Sequence, residues 1–394
     1  MNYLEKLLHG VTLEWKSLGE VSKITTGSRV TKNELSHDKQ FPVYSGGVTP
    51  MGYYEKFNQI ENTITIVKYG TAGFINFITE KFWANDICYC VLPDSILNNR
   101  YLFYVIKNKQ NHINSLATDA IPAHLPTEAI NSVLIPVPCP ENPKKSLEIQ
   151  QKIVDILDTF TELIAELTVE LTARKKQYSY YKEQLFNFDE NEVQHLRMDD
   201  ESIGKFQRGK RFVKTDLINE GVPTIHYGEM YTHYGTWAEK TKSFVSGKLV
   251  EDKKLRIADK GDVVIVAAGE TTEDIGKGTA WLGEGGVVIH DACFSYKTTL
   301  NSKFVAYFTR TKQFHDQIKK QISSGKISAI NAKGLGIAKI PVPSPKEQER
   351  VVSILDKFDM LTSSISEGLP KEIKLRQKQY EYYRDLLLTF PNDK

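Results

Sequence analysis

The stretch Ile135-Pro136-Val137-Pro138, followed by Gln150-Gln151-Lys152-Ile153-Val154-Asp155-Ile156-Leu157-Asp158-Thr159-Phe160, is written a second time farther along the chain. The second copy reads Ile340-Pro341-Val342-Pro343, then Gln348-Glu349-Arg350-Val351-Val352-Ser353-Ile354-Leu355-Asp356-Lys357-Phe358. Each copy closes on paired tyrosines. The first ends Arg174-Lys175-Lys176-Gln177-Tyr178-Ser179-Tyr180-Tyr181 with Leu185-Phe186, the second Arg376-Gln377-Lys378-Gln379-Tyr380-Glu381-Tyr382-Tyr383 with Leu387-Leu388. A repeat this long predicts two similar domains and an internal pseudo-two-fold, an arrangement suited to a target with two halves.

The repeat extends upstream of these segments. Gly27-Ser28-Arg29-Val30-Thr31-Lys32-Asn33-Glu34-Leu35 matches Gly209-Lys210-Arg211-Phe212-Val213-Lys214-Thr215-Asp216-Leu217, and Pro42 and Gly47 match Pro223 and Gly228. The apolar runs Ile64–Val67 and Val263–Val266 each lead into a glycine turn, at Gly70 and Gly269, and Asp86-Ile87-Cys88 matches Asp291-Ala292-Cys293. Residues 15–138 and 196–343 therefore read as two diverged copies of one domain. Short β-branched and aromatic runs broken by Gly, Pro and Asn make that domain β-rich. Tyr101–Lys107 and Phe304–Thr309 are its candidate short helices. At the N-terminus, Tyr3-Leu4-Glu5-Lys6-Leu7-Leu8 resembles Tyr181-Lys182-Glu183-Gln184-Leu185-Phe186, so residues 1–14 read as a helix end and the order of domain and helix is cyclic.

The segments 147–188 and 346–390 carry a helical seam. Apolar or aromatic residues fall at 153, 156, 160, 163, 167, 171, 178, 181 and 185 in the first, with Arg174 in one expected slot. The second repeats the pattern, but Arg376 lies eighteen residues after Phe358 where Arg174 lies fourteen after Phe160. Four extra residues are a stutter, which a heptad seam absorbs. Residues 161–172 form a tetrapeptide repeat in which Glu-Leu recurs three times, keeping the leucines on one drifting stripe. Gly368-Leu369-Pro370 predicts a kink or short break in the second helix, because proline lacks an N–H and clashes with the preceding turn. The fold class expected is α+β: two β-rich domains separated by two long antiparallel coiled-coil helices.

At 394 residues the chain exceeds what one core normally fills, and 40% apolar with 25% charged residues is ordinary for a globular protein. No run of eighteen apolar residues exists, and Met1–Gly10 lacks the pattern of a signal peptide, so the cytoplasm is the expected compartment. Cys88, Cys90, Cys139 and Cys293 make no disulfide framework, and no second pair stands at zinc-site spacing to Cys88 and Cys90, which read as half-buried strand residues. The net charge of +2 neither favours nor excludes nucleic acid, because basic residues can gather on one face.

They do gather. Lys205, Arg208, Lys210, Arg211 and Lys214 surround Phe206 and Phe212, and Lys23, Arg29 and Lys32 are the thinner counterpart in the first copy. Near a glycine turn such residues suit phosphate contacts or a fork onto guanine; the alternative is a solvated charged face. Matched polar loops add Tyr44 and Ser45 against His226 and Tyr227, and Lys68 and Tyr69 against Gly269–Thr272, with Lys277 following; these could reach base edges or be plain hairpin turns. Residues 269–278 (GETTEDIGKG) are not a phosphate loop, since six residues rather than four separate Gly269 from Gly276-Lys277 and Gly278 follows. No adenine-methylating tetrapeptide, dinucleotide loop, zinc-protease or serine-hydrolase motif is found.

Together these features resemble the specificity subunit of type I restriction-modification systems. The two Ile-Pro-Val-Pro leads, the Gln150 and Gln348 helix starts, the tyrosine pairs, the Glu-Leu repeat and the run from Gly261-Asp262-Val263 to Gly276-Lys277 carry the resemblance, which covers essentially the whole chain. The first helix departs from the family's Pro, short gap, Glu-Gln opening, having Ile149-Gln150 after a longer gap. The resemblance implies two target recognition domains that read the halves of a split double-stranded DNA sequence. It further implies a spacer on which two methyltransferase subunits dock, here through Gln150, Tyr178, Tyr181, Gln348, Tyr380 and Tyr383, with restriction subunits beyond them. S-adenosylmethionine, ATP and Mg would then belong to the partners, and this chain would hold no catalytic residue, cofactor or metal. A self-sufficient DNA-modifying enzyme and a coiled-coil adaptor without DNA binding are the alternatives.

Overall fold

A computed structural model describes residues 10–323, 325, 327–363 and 367–388, apart from the side chain of Tyr231. The helix-end reading of Tyr3–Leu8, and Thr389 and Phe390 at the far end, lie outside these residues. The chain divides into two compact units: residues up to Thr168 together with those from Ile373 onward, and Val169–Glu372.

In the first unit, the Ile-Pro-Val-Pro strand Leu134–Pro138 pairs antiparallel with Leu13–Ser17, burying Ile135 and Val137. A four-stranded antiparallel sheet follows the order Ser22–Thr26, Cys88–Pro93, Thr63–Val67, Ile75–Ile78. Thr63–Val67 is buried on both faces, which explains its unbroken β-branched run. Cys88 and Cys90, expected half-buried, are fully buried, and burial pushes the Cys88 thiol up to about 12. A smaller sheet joins Tyr53–Tyr54, Phe41–Tyr44 and Trp83–Ala84. The short helix Asn99–Asn108 buries Tyr101, Leu102, Val105 and Ile106 in a core that also takes in Ile149, Ile153 and Leu157 of the long helix and Leu387 and Leu388 from the chain's end.

The second unit repeats the plan with larger sheets. Lys339–Pro341 pairs with His195–Arg197; a five-stranded sheet runs Gly204–Arg208, Cys293–Thr298, Val263–Val266, Gly278–Trp281, Trp237–Ala238. A four-stranded sheet runs Ser243–Val245, Val222–Ile225, Val287–Ile289, Ile257–Ala258. The helix Ser302–Phe308 is buried from Phe304 to Phe308, and Val351, Val352 and Leu355 of the second spacer helix close this core.

The first spacer helix is continuous over Pro143–Leu185. It starts four residues before the expected position 147, because Pro143 needs no amide partner at a first turn and Asn142 receives Lys145 N on its side chain (3.1 Å) and Ser146 N on its carbonyl (2.9 Å). The second is in two pieces, Pro345–Ser363 and Gly368–Leu388. Gly368 stands at φ +73°, where a Cβ would lie 2.4 Å from Met360 O, and Pro370 falls in the first turn of the second piece, where its missing N–H costs nothing. The helices run antiparallel: Phe160 stacks on Tyr383 (5.2 Å) in the first unit, and Tyr178 and Tyr181 stack on Phe358 (5.9 and 5.7 Å) in the second.

Candidate nucleic-acid interface

Each basic loop begins at a glycine where a Cβ would collide with backbone. A Cβ on Gly27 would lie 2.0 Å from Ala84 O, and one on Gly209 2.1 Å from His290 O. The glycines make the same bond, Gly27 N to Cys88 O (3.2 Å) and Gly209 N to Cys293 O (3.0 Å). Five residues on, each loop enters a single tight turn, Lys32–Glu34 or Lys214–Asp216, closed by a carboxylate that accepts the preceding amide: Thr31 N to Glu34 and Val213 N to Asp216, both 2.9 Å. The backbone is therefore fixed before any ligand arrives, and Arg29 with Lys32, and Arg211 with Lys214, project from corresponding places.

Those four side chains are exposed, and none makes a hydrogen bond or ion pair to a carboxylate among the described residues. Lys23 and Lys205 are also exposed, on the edge strand leading into each loop. Two members of the second cluster are partly committed: Arg208 donates to Asp291 O (3.0 Å) and Lys210 to Lys253 O (3.3 Å). Phe206 and Phe212 belong to the domain's packing: Phe212 is fully buried and Phe206 packs on Tyr296 (4.6 Å).

In the second unit His226 and Tyr227 stand beside this loop. Their rings lie 4.6 Å apart, and both meet His290, at 4.7 and 5.1 Å. His290 is the residue that pins the loop: its Nε2 donates to Phe212 O (2.9 Å), while its Nδ1 faces both Ala292 N (3.1 Å) and the Asp291 carboxylate (3.0 Å). Burial lowers the pKa of both His226 and His290; Glu229 and Asp291 pull them back, while Lys214 and Arg211 push them down further. The first unit fills the same position with Asn85, whose Oδ1 accepts Val30 N (3.4 Å), whose Nδ2 donates to Val30 O (3.0 Å) and whose backbone N–H donates to Tyr44 O (2.9 Å). Neither anchor was singled out from sequence. The available signal was position: each directly precedes the matched Asp86 or Asp291.

The loops around Tyr44-Ser45 and Lys68-Tyr69 meet in the first unit. Gly46 O accepts both Thr71 N (3.0 Å) and Thr71 Oγ1 (2.9 Å), and Gly70, at φ +93°, passes so close that a Cβ would lie 2.7 Å from that oxygen. Tyr69 stacks on His124 at 4.4 Å, and the Lys68 ammonium lies over the Tyr69 and Tyr89 rings at 5.7 and 5.3 Å. Tyr44 is half spent on packing, edge-on to Phe82 at 5.5 Å, and burial raises its hydroxyl's pKa. Sequence reasoning missed His124, which lies 55 residues on in a separate loop.

Lys277 does not join the basic loop. It pairs with Asp274 (2.6 Å) and lines a cavity of about 1120 Å³ with Tyr178, Lys182 and Arg310, beside the spacer helices. The glycine run leading to it packs on Phe314 and Ile318, which sets it on the helical side of the domain.

Among the expected partner-contacting residues, Tyr181 is exposed, while Tyr178, Tyr380 and Tyr383 are partly covered by the seam. Gln150 and Gln348, expected to contact a partner, are 0% and 4% exposed in this chain. Gln150 Oε1 receives Asn98 N (2.7 Å) and its Nε2 donates to Ile96 O (3.0 Å); Gln348 Oε1 receives Asn301 N (2.8 Å) and its Nε2 donates to Pro343 O (2.9 Å). Buried and bonded at both ends, these amides face the domain. These glutamines tie the spacer helix to the domain beside it.

Among the described residues, no group of three or more His, Cys, Asp or Glu could hold a metal, and no helix is long and apolar enough to cross a membrane.

The chain matches the family described as Type I restriction modification DNA specificity domain twice, over residues 11–174 and 199–375. It is 34% identical to the Type I restriction enzyme EcoR124I/EcoR124II specificity subunit of Escherichia coli, across 99% of this chain and 98% of that one. It is also 34% identical to a putative type I restriction enzyme specificity subunit of Haemophilus influenzae, across 98% of each. In fold it resembles the crystal structure of the type I restriction-modification S subunit from M. genitalium, with a TM-score of 0.62 at 18% identity and full coverage of both chains. The duplicated domains, the paired spacer helices and these matches together place the chain in the family of type I restriction-modification specificity subunits.

Proposed function

We propose that this chain gives a type I restriction-modification complex its DNA sequence specificity, reading a bipartite double-stranded target with one domain for each half. The observation that carries the reading is the pair of matched basic loops. Each is fixed at its base by a glycine with no room for a Cβ and by a buried anchor, and each holds two cations with no carboxylate partner among the described residues. Cations held out on rigid backbone suit a polyanion, because phosphate contacts set register while neighbouring side chains read bases. The two faces carry different side chains, Tyr44, Lys68 and Tyr69 against His226, Tyr227 and Arg208, so the half-sites differ and no palindrome is required.

On this reading the spacer helices dock two methyltransferase subunits, with Tyr181 and the neighbouring exposed Tyr180 and Tyr382 in contact and restriction subunits joining beyond. S-adenosylmethionine, ATP and Mg act in those partners, in the cytoplasm where the DNA lies, and this chain supplies no catalytic group. The test is methyl transfer to DNA by the purified chain, alone and with co-expressed methyltransferase subunits. Transfer is expected only in the complex, at one split sequence; transfer by the chain alone would contradict the reading.

A further inference from the structure

The bonds between each short domain helix and its spacer helix repeat residue by residue. In the first unit Asn98 N donates to Gln150, Arg100 pairs with Asp158 (2.8 Å), and Tyr104 Oη donates to the same Asp158 carboxylate. In the second, Asn301 N donates to Gln348, Lys303 pairs with Asp356 (2.8 Å), and Tyr307 Oη donates to Asp356 (2.7 Å). The spacing is the same in both copies: the cation comes two residues and the tyrosine six after the asparagine, and the aspartate eight after the glutamine. The chain joining the two sides is not the same. Asn98 and Gln150 are 52 residues apart, Asn301 and Gln348 only 47. The contact has been kept while the connection changed, so it is the contact that matters.

Adhesion alone does not call for these residues. Apolar side chains such as Ile153 and Leu157, or Val351 and Leu355, already bury the helix against the domain, and a half-buried ion pair adds little to stability beyond what well-packed apolar residues give. What directional bonds to one carboxylate and one amide add is a single rotation and register between two apolar surfaces that could otherwise slide.

We infer that this five-residue latch, Asn98, Arg100, Tyr104, Gln150 and Asp158 with its repeat Asn301, Lys303, Tyr307, Gln348 and Asp356, fixes the pose of each recognition domain on the spacer and so holds the half-site gap to one length. The inference rests on the bipartite-target reading above. The latch residues are positioning residues, remote from bases and phosphates, and they act on which gap is accepted rather than on which sequence is read.

The test uses the assembled methyltransferase complex and DNAs that carry both half-sites separated by a graded series of gaps. Tyr307→Phe removes one hydroxyl and leaves the packing; Asp356→Asn removes the charge; Tyr104→Phe and Asp158→Asn repeat the changes in the first unit. Each is expected to raise methylation at gaps one base pair too long or too short by about tenfold relative to the preferred gap, with half-site sequences unchanged, the ratio that corresponds to ~1.4 kcal/mol of lost restraint. Lys303→Arg and Arg100→Lys, which exchange the two copies' own cations, are expected to keep the wild-type gap profile. Variants that slow every gap equally, with folding matched to wild type by circular dichroism, would overturn the latch and leave the DNA reading intact. A wild-type complex that methylates no split sequence at all would remove the reading itself, and the latch with it.

Discussion

The two recognition domains share a frame and differ in what they hang on it. Glycine at the loop base, a carboxylate-closed tight turn and a side chain pinning the loop carbonyl recur in both. The pin is an amide in one, Asn85, and a titratable ring in the other, His290, which brings His226 and Tyr227 into contact with it. Duplication has preserved the parts where backbone meets backbone and released the parts that face outward. Two unlike faces on like frames would suit the proposed target with unequal halves.

The frame is where the largest effects are expected. Gly27→Ala and Gly209→Ala each drive a methyl group to about 2 Å from a backbone carbonyl, and neither neighbour is a flexible side-chain end. Each should cost about 3 kcal/mol, at the upper end of overpacking penalties, measured by chemical denaturation of the full chain. Similar losses in both would support one shared frame; tolerance at either position would break the comparison there.

The outward parts should show smaller and unequal effects. Arg211→Ala and Lys214→Ala in the second unit, and Arg29→Ala and Lys32→Ala in the first, are each expected to weaken DNA binding by the assembled complex. Removing a cation that touches phosphate lowers the salt slope by about one for all sequences, whereas removing a side chain that reads a base costs about 1–3 kcal/mol on the cognate half-site alone. Affinity and slope unchanged in all four would return both loops to solvated faces.

The smallest effect separates the two pins. Inside the fold the buried His290 titrates below the ordinary histidine value, while the unfolded chain takes up its proton near pH 6.5. The unfolded state therefore binds more protons in the window between those values. The stability this contributes is full above about pH 6.5 and is lost as pH falls toward the lowered folded pKa. His226, shifted the same way by burial, adds to it. His290→Asn copies the first unit's solution and should reduce the fall in melting temperature between neutral and mildly acidic buffer. An identical fall in wild type and variant would show that the pin does not carry the pH response.

Much of this was legible in the sequence, and the reasons are specific. The seam at Ile153, Ile156 and Phe160 and its repeat at Val351, Ile354 and Phe358 are local periodicities, and Pro370 with Gly368 marks the break between the two pieces of the second helix. Long-range partners were not legible. Gln150 and Gln348 read as surface contacts because a sequence does not say which turn of a helix faces a short helix elsewhere in the chain. Lys277 read with the other cations because it follows a glycine loop, yet Gly276 packs on Phe314 and Ile318 and carries it to the spacer side. His124 and Asn85 gave no motif at all; they act through a stacking contact and through bonds to the Val30 backbone that only the folded chain brings near.

The measurement closest to the central claim is a methylome. A host expressing this chain with its methyltransferase partners is compared with one in which residues 196–343 are replaced by the corresponding domain of another specificity subunit. One half-site should change and the other should stay, with the gap preserved. Both half-sites changing, or neither, would contradict the assignment of one half to each domain.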